Sequence, residues 1–259
     1  MPIVTTEDRG SVRHVVMNRP EKRNAMNGEL VQALGVELTA AASDPGVHVV
    51  VVRGAGATFS SGMDFSDLVA LSDAPEDLRA FRRRILEIWN LCEEMPKATV
   101  CQIQGGAIGG ALELALACDL RVAAEDALLG LPETRVGLIP DVGGSSRLPA
   151  VVGLGRAKEM IMTSKLVTGV EAERIGLVNR VAPPGELEAA TDQLVTELLD
   201  CAPLAVGHAK RVMDAAAKPA LAATLEQEVT VQELCAQTAD FAEGARAFAE
   251  RRQPAFSGR

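Results

Sequence analysis

A run of valines at residues 47–53 (VHVVVVR) constrains the fold of this chain more than any other segment. A nearly continuous β-branched run is typical of a strand that is covered on both faces, as in parallel sheets. A glycine-, alanine- and serine-rich loop follows, and an amphipathic helix is predicted over residues 77–94. The same succession recurs as a strand over 98–104, a glycine-rich loop over 105–110 and a helix over 111–117. We therefore predict an α/β protein with a layered or coiled ββα architecture.

The second half of the chain is predicted to be mainly helical. After Gly143 and Gly144 the last strand is expected at residues 178–181, and successive helices follow between 186 and 252. Breaks are expected near Pro203 and Pro219, because proline ends or begins a helix. We place a domain boundary near residue 195, with an α/β core over 1–195 and a helical module over 196–259.

Composition excludes several classes of function. The 259 residues carry a net charge of −9, which disfavours the clustered positive charge that nucleic-acid binding needs. No run of about eighteen apolar residues predicts a membrane span, and the N-terminus lacks a signal-peptide pattern. The five cysteines are odd in number and widely spaced, as expected of reduced thiols in a cytoplasmic protein.

Three segments have residue types suited to chemistry: residues 18–26 (NRPEKRNAM), 58–64 (TFSSGMD) and 105–113 (GGAIGGALE). Glycine allows close approach of the backbone to a ligand, and the first N–H groups of a helix lack intrahelical partners. The N–H groups of Met63 and Gly110 are thus candidates to converge on one carbonyl oxygen. The alternative is that both loops are only tight turns. The glycine spacing does not match the dinucleotide-binding fingerprint.

Taken in order, these segments resemble the enoyl-CoA hydratase/isomerase (crotonase) family. The likeness continues through residues 109–121 (GGALELALACDLR), 131–140, 143–149, 171–178 and 250–256, so it covers nearly the whole chain. The resemblance implies a spiral of ββα turns with a C-terminal helical module that forms trimers, often stacked into hexamers. It implies no metal or redox cofactor, since coenzyme A is part of the acyl-CoA substrate.

The resemblance also implies roles for individual residues. The N–H groups of Met63 and Gly110 would form an oxyanion hole for the thioester oxygen. Glu113 and Glu133 fill the two glutamate positions of family members with hydratase activity. Glu133 would deliver a proton to C2 of the substrate and Glu113 would help to activate water. Alternatively, Glu133 is an acidic residue in a first helical turn after Pro132.

Asp141 leaves two interpretations open. Simple hydratases of the family usually have a small residue at this position, whereas an aspartate resembles relatives that shift double bonds. A third carboxyl would then move a second proton and convert hydration into isomerisation. Alternatively, Asp141 caps the helix that follows Gly143 and Gly144, because aspartate is a favoured capping residue.

The remaining predictions concern the coenzyme A moiety and the acyl pocket. Lys22 and Arg23 lie where family members contact the adenosine 3′-phosphate end, although a basic pair in a polar turn is often only solvated surface. The arginines at 82–84 are expected on a solvated helix face, or beside the acyl tunnel. The family builds its acyl pocket from the 77–94 helix and the loop before it. The predicted contacts to the coenzyme A moiety are Lys22, Arg23, Ala25, Ser61, Met63 and Asp64.

Three functions follow from these residues. The leading prediction is an enoyl-CoA hydratase. The second is an enoyl-CoA or dienoyl-CoA double-bond isomerase that uses Glu133, Asp141 or both. The third is a non-catalytic acyl-CoA-binding paralogue, which the presence of both glutamates disfavours.

Overall fold

The computed structural model describes residues 2–67 and 75–259. Within these residues, six strands form the larger sheet in the spatial order β1 (Val4–Arg9), β2 (Val12–Met17), β3 (Val49–Gly54), β4 (Ala98–Ile103), β6 (Leu120–Ala124) and β9 (Arg180–Ala182). β1 pairs antiparallel with β2, and all other neighbours in this sheet are parallel. The parallel α/β prediction is therefore confirmed at its centre, where every residue of β4 is buried.

A smaller sheet corrects one prediction. Residues 105–110 were expected to form a loop, but Gly106–Ile108 is a strand, β5. It pairs in parallel with β7 (Leu128–Gly130), which in turn pairs antiparallel with β8 (Val167–Thr168). The glycine at 106 permits this pairing, since a Cβ there would lie 3.0 Å from the carbonyl oxygen of Leu128.

Helices cover the sheets and form the C-terminal region. The proline breaks are confirmed, because α8 (Pro203–Ala217) begins at Pro203 and Pro219 separates it from α9 (Leu221–Ala236). Residue 195 lies inside α7 (Leu187–Leu199), and the domain boundary there stays a prediction. None of the helices within residues 2–67 and 75–259 combines the length and hydropathy needed to cross a bilayer. The bounds are α1 Gly28–Ser43, α2 Pro75–Glu94, α3 Gly110–Ala117, α4 Gly144–Val152, α5 Leu154–Met162, α6 Gly169–Arg174, α7 Leu187–Leu199, α8 Pro203–Ala217, α9 Leu221–Ala236 and α10 Ala239–Glu250.

Helix α2 forms one wall of the interior. The predicted start at residue 77 lies two residues inside its observed start at Pro75. Trp89 and Cys92 on this helix are fully buried against the core. Residues 68–74, which include part of the loop expected to contribute to the acyl pocket, lie outside the described residues.

Helix α3 is buried along its whole length. Its eight residues, GALELALA, are apolar on every face apart from Glu113. A helix that is hydrophobic all round belongs in the interior, so the sequence of α3 carries the Glu113 carboxyl into the core with it. The Glu113 side chain consequently has to find its hydrogen bonds from protein groups.

A buried lysine ties the C-terminal helices to the central sheet. Lys210 on α8 donates from Nζ to the carbonyl oxygens of Cys92 (2.7 Å) and Lys97 (3.1 Å) and to Asp119 Oδ2 (2.9 Å). Asp119 Oδ2 also accepts hydrogen bonds from the backbone N–H (2.7 Å) and hydroxyl (2.8 Å) of Thr99 at the start of β4. The ammonium group thus replaces its lost hydration by three protein acceptors.

Removal of this ammonium group should destabilise the fold. Lys210→Met leaves the Asp119 carboxylate and two carbonyl groups without their donor, and we expect a loss of about 3 kcal/mol of unfolding free energy. Lys158→Met, at an exposed position of α5, should change it by less than about 0.5 kcal/mol. Urea denaturation followed by circular dichroism measures both; equal effects of the two substitutions would contradict the role of Lys210.

Candidate active site

A buried asparagine joins two of the loops that the sequence marked. Asn24 Oδ1 accepts from the N–H of Arg19 (2.9 Å), and Nδ2 donates to the carbonyl oxygens of Ala55 (2.9 Å) and Thr58 (2.8 Å). The carbonyl of Asn24 accepts from Ser60 Oγ (2.8 Å), which itself accepts from the N–H of Gly62 (3.1 Å). This polar network fixes the backbone that leads into Met63. Sequence reasoning quoted Asn24 but gave it no role.

The structure brings Met63 and Gly110 together. Gly62 has φ +94°, and a Cβ there would lie 2.4 Å from the carbonyl oxygen of Ile108 and 3.6 Å from the nitrogen of Gly110. Glycine is therefore required where the two loops meet. Within residues 2–67 and 75–259, the N–H groups of Met63 and Gly110 donate to no protein acceptor.

Helix α3 adds positive potential at this point. Its N-cap is Gly109, with φ +57° and no side-chain capping hydrogen bond, so the first N–H groups remain available. The aligned peptide dipoles of the helix favour negative charge at its N-terminus. A Cβ on Gly109 would lie 2.8 Å from Glu133 Oε1, which shows how closely the loop approaches that carboxyl group.

A cavity of about 410 Å³ opens beside these groups. It contains all five of the predicted catalytic residues and is otherwise mainly apolar. The structure therefore unites groups that are up to 78 positions apart in the sequence, from Met63 to Asp141. The lining residues are Ser61, Gly62, Met63, Phe65, Phe81, Arg82, Ile85, Ile108, Gly109, Gly110, Glu113, Pro132, Glu133, Arg135, Val136, Leu138, Asp141, Val142, Leu166, Gln232 and Phe248.

Glu113 is held by backbone amides of the loop before α4. Its side chain is buried, and Oε1 accepts from the N–H groups of Val142 (3.0 Å) and Gly144 (2.8 Å). Burial raises the pKa of Glu113, the carboxyl groups of Glu133 and Asp141 raise it further, and the Gly144 amide opposes this shift. The geometry fixes one carboxyl oxygen and leaves the other at the cavity.

Glu133 differs from Glu113 in its hydrogen bonding. It opens a 3-10 helix, Glu133–Val136, directly after Pro132, so its predicted position as an acidic residue in a first helical turn is confirmed. The residue as a whole is half-buried, but Oε2 is buried and has no hydrogen-bond partner among the described residues. Burial raises the pKa of Glu133 to about 8, with a smaller contribution from Asp141. This environment favours the protonated form of the Glu133 carboxyl group.

Asp141 is not a helix cap. The N-cap of α4 is Gly143, without a side-chain capping bond, while the Asp141 carboxylate pairs with Arg82 Nε. Burial raises the pKa of Asp141 to about 6, and the Arg82 guanidinium opposes that shift. The expectation of a solvated face is wrong for Arg82, which is 3% exposed, whereas Arg83 and Arg84 are exposed.

Helix α9 contributes two polar groups that sequence reasoning missed. Glu228 Oε2 accepts from the N–H of Gly143 (2.8 Å), and Gln232 Oε1 accepts from the N–H of Ile139 (2.9 Å). Burial raises the pKa of Glu228 to about 7. Both residues share a buried stripe at helical spacing with Leu225 and Val229. Polar residues inside such a stripe were the available signal.

The predicted contacts to coenzyme A are partly brought together. Ser61 and Met63 line the cavity, and the N–H of Ser61 donates to the carbonyl of Arg23 (3.0 Å). Lys22 and Arg23 are exposed on the turn after β2, outside the cavity lining, and form no ion pair with a described residue. Their contact with coenzyme A stays a prediction.

Two of the six predicted contacts already have partners in the chain. The Ala25 carbonyl accepts from Arg19 Nη1 (2.6 Å), and Asp64 Oδ2 pairs with the same nitrogen at 3.3 Å. A hydrogen bond from the Ser66 hydroxyl (2.7 Å) holds the pKa of Asp64 below its usual range. These acceptor groups are therefore engaged by donors within the chain.

Comparisons with known proteins agree with this geometry. The family model described as enoyl-CoA hydratase/isomerase matches residues 7–259. The chain belongs to this family. It is 34% identical to the crotonyl-CoA hydratase of Syntrophomonas wolfei, over 98% of this chain and 96% of that protein. It is 38% identical to human enoyl-CoA hydratase domain-containing protein 2, mitochondrial, over 96% of this chain and 86% of that one.

The solved structures support the fold. An enoyl-CoA hydratase from Mycobacterium avium subsp. paratuberculosis superposes with a TM-score of 0.87 at 32% identity, covering 98% of each chain. The predicted crotonase-like fold, with its mixed α/β core and helical C-terminal region, is confirmed. The chain is accordingly an enzyme of the hydratase or isomerase type.

The buried carboxyl of Glu133 predicts a pH-dependent stability. A folded-state pKa of about 8, above the ordinary 4.5, means that the folded protein binds more protons than the unfolded chain between these values. The free energy of unfolding should fall from pH 6 to pH 9. Glu133→Gln should reduce that fall by roughly 1–3 kcal/mol.

Chemical denaturation at the two pH values measures this difference. Glu125→Gln, at an exposed position after β6, serves as the matched control and should keep the wild-type pH dependence. An unchanged slope in Glu133→Gln would show that the Glu133 carboxyl is ionised throughout this range.

Proposed function

We propose that this protein is an enoyl-CoA hydratase, which adds water across the double bond of a 2-enoyl-CoA thioester. The observation that carries the proposal is the asymmetry of two carboxyl groups at one cavity. Glu113 is fixed by two amide hydrogen bonds, whereas the buried Glu133 Oε2 accepts none from the described residues. Two carboxyls in such different surroundings divide the roles of base and acid.

The thioester oxygen would bind the N–H groups of Met63 and Gly110. As water adds to C3, negative charge develops on this oxygen in an enolate. The N-terminal position of Gly110 on α3 favours that charge. Each preorganised donor of this kind typically lowers a barrier by about 3 kcal/mol.

The carboxyl pair would manage the protons. The amide donors from Val142 and Gly144 favour the carboxylate form of Glu113, so the proton of the coupled pair resides on Glu133. Glu113 takes a proton from the water as its oxygen bonds to C3, and Glu133 delivers its proton to C2. Proton transfer from Glu113 to Glu133 then restores the starting state.

A double-bond isomerase is the second candidate function, favoured by the presence of Asp141 in the cavity wall rather than at a helix cap. A carboxyl there is placed to move a second proton. The Arg82 ion pair makes this assignment the weaker one, because it stabilises the Asp141 carboxylate and occupies one of its oxygens. Glu133 lacks such a partner.

The coenzyme A moiety would lie across Ser61 and Met63 and extend towards Lys22 and Arg23. The proposed reaction uses no metal or redox group, since the oxyanion donors and the carboxyl pair supply the chemistry. A cytoplasmic location stays a proposal for this chain; one similar human protein is named as mitochondrial.

Loss of the conjugated thioester absorbance of crotonyl-CoA tests the hydratase. Wild type should consume it, and Glu113→Gln and Glu133→Gln should each lower kcat/KM by about 100- to 10,000-fold. Wild-type kcat/KM should also fall as the pH rises through about 8, because the Glu133 proton is lost. Glu125→Gln is the control and should keep wild-type activity.

Other outcomes of this assay have definite meanings. An inert crotonyl-CoA combined with a double-bond shift in a 3-enoyl- or dienoyl-CoA, abolished by Asp141→Asn, would replace the hydratase by the isomerase. Binding of acyl-CoA without turnover of any of these substrates would leave the non-catalytic paralogue.

We propose a homotrimer or a hexamer as the assembly. Large apolar side chains of the C-terminal helices are exposed in the single chain, including Leu204 (72%) and Val212 (71%) on α8. Both residues lie on the same helix and would suit burial against neighbouring copies of the chain. Contiguous exposure of this kind is typical of interaction surfaces.

Sedimentation equilibrium should therefore give three or six times the chain mass of 27.2 kDa. Glu substitution at Leu204 and Val212 together should lower the assembly state, because an apolar interface does not accommodate unpaired charge. The same substitution at Val36, an exposed residue of α1, is the control. A monomeric wild type would contradict the proposal.

A further inference from the structure

One part of the cavity wall is polar although the proposed hydration does not require it. Arg82 on α2, Asp141 before α4 and Gln232 on α9 all line the cavity, and their exposed fractions are 3%, 6% and 1%. Two helices and the loop before α4 thus place charged or amide side chains together in one buried part of the cavity wall. A pocket intended only for an aliphatic chain would be expected to present apolar side chains there.

These groups retain hydrogen-bonding capacity directed at the cavity. The Arg82 guanidinium contacts Asp141 through Nε, and its outer nitrogens donate to no acceptor within residues 2–67 and 75–259. The Gln232 carbonyl oxygen accepts from the N–H of Ile139, which fixes the orientation of the amide. Its NH2 group therefore points away from that contact and donates to no acceptor in the described part of the chain.

An aliphatic acyl chain would displace water from these donors without replacing its hydrogen bonds. Buried donors left unpaired are costly, and sites that bind a substrate oxygen discriminate strongly against analogues without it. The polar wall therefore favours an acyl group that supplies an acceptor oxygen.

The charges around this part of the cavity indicate whether the acceptor oxygen of the acyl group is charged or uncharged. Asp141 already balances Arg82, and Glu113, Glu133 and Glu228 lie in the same region of the protein. A carboxylate on the acyl group would add a further negative charge next to four carboxyl groups, whereas the cavity lining holds two guanidinium groups, those of Arg82 and Arg135. An uncharged hydroxyl or keto oxygen accepts from the Arg82 and Gln232 donors without this repulsion.

We propose that Arg82, Asp141 and Gln232 form a subsite for an uncharged hydroxyl or keto oxygen carried on the acyl chain beyond the double bond. The proposal rests on the proposed hydratase function and specifies its substrate class. Arg82 and Gln232 donate to the substrate oxygen, while Asp141 holds the guanidinium in place and accepts from a substrate hydroxyl. The subsite acts on substrate choice, and the carboxyl pair carries out the hydration.

Matched six-carbon 2-enoyl-CoA substrates test this subsite in the full-length enzyme. The series comprises the unsubstituted chain with its terminal methyl group, chains with a hydroxyl group at C5 or C6, a chain with a keto group at C5, and a chain with a terminal carboxylate. Wild type should show a kcat/KM at least about tenfold higher for one or more of the hydroxyl and keto substrates than for the methyl and carboxylate substrates.

Variants locate the preference. Arg82→Met and Gln232→Met should bring the hydroxyl-to-methyl ratio of kcat/KM close to one. Arg83→Met and Gln227→Met, which alter exposed neighbours on the same two helices, should keep the wild-type ratio. Thermal melting monitored by circular dichroism establishes that each variant is folded, and the wild-type substrate series stands even if one variant is not.

The outcomes separate this proposal from the function on which it rests. Hydration of the methyl substrate at an equal or higher kcat/KM would overturn the subsite and leave the hydratase intact. A preference for the carboxylate substrate would overturn the assignment to an uncharged group. If no substrate is hydrated, calorimetric binding of saturated 5- and 6-hydroxyhexanoyl-CoA, 5-ketohexanoyl-CoA and hexanoyl-CoA still decides the subsite, and equal affinities would refute it.

Discussion

The site depends on the backbone amides of residues 142–144. Their three consecutive N–H groups donate hydrogen bonds to two acidic side chains. The amides of Val142 and Gly144 bind Glu113, and the amide of Gly143 binds Glu228. Glu113 belongs to a helix buried in the core, while Glu228 belongs to a C-terminal helix. The short loop thus joins both halves of the chain, and side-chain position on one helix constrains the other. Amide hydrogen bonds to carboxylates are strong enough to hold such a junction.

Around this loop the protein keeps several carboxyl groups close together and gives each a different environment. Glu113 has amide donors, Asp141 has a guanidinium, and the Glu133 Oε2 has no partner among the described residues. Burial raises the pKa of all three groups. The different partners of the groups then determine which carboxyl is protonated more readily. Burial raises the pKa of the unpartnered Glu133 to about 8, whereas the pKa of Asp141, paired with Arg82, is raised to about 6.

Much of the fold was predictable because local sequence and tertiary environment agree. The valine run of β3 and the apolar helix α3 have no alternative to burial, and proline marks the breaks near α8 and α9. Glu113 and Glu133 were predicted to act as a pair and Asp141 to serve the alternative isomerase or to cap a helix; all three line one cavity. Gln232 was not predicted to lie there, and Arg82 was placed beside the acyl tunnel only as an alternative, because each lies in an amphipathic helix whose polar positions normally face solvent. Only the packing of α9 on α2 shows that these two point inward.

The burial of Glu113 on an otherwise apolar helix has an evolutionary consequence. Replacement of this carboxyl by the uncharged side chain of glutamine removes the cost of burying a charge, and the amide oxygen remains as an acceptor for the N–H groups of Val142 and Gly144. Loss of the carboxyl group at position 113 is therefore compatible with an intact or even more stable fold. A duplicated gene of this kind can lose the proposed reaction while its product keeps the fold and the cavity. In such a scaffold, catalysis persists only while selection on the reaction maintains it.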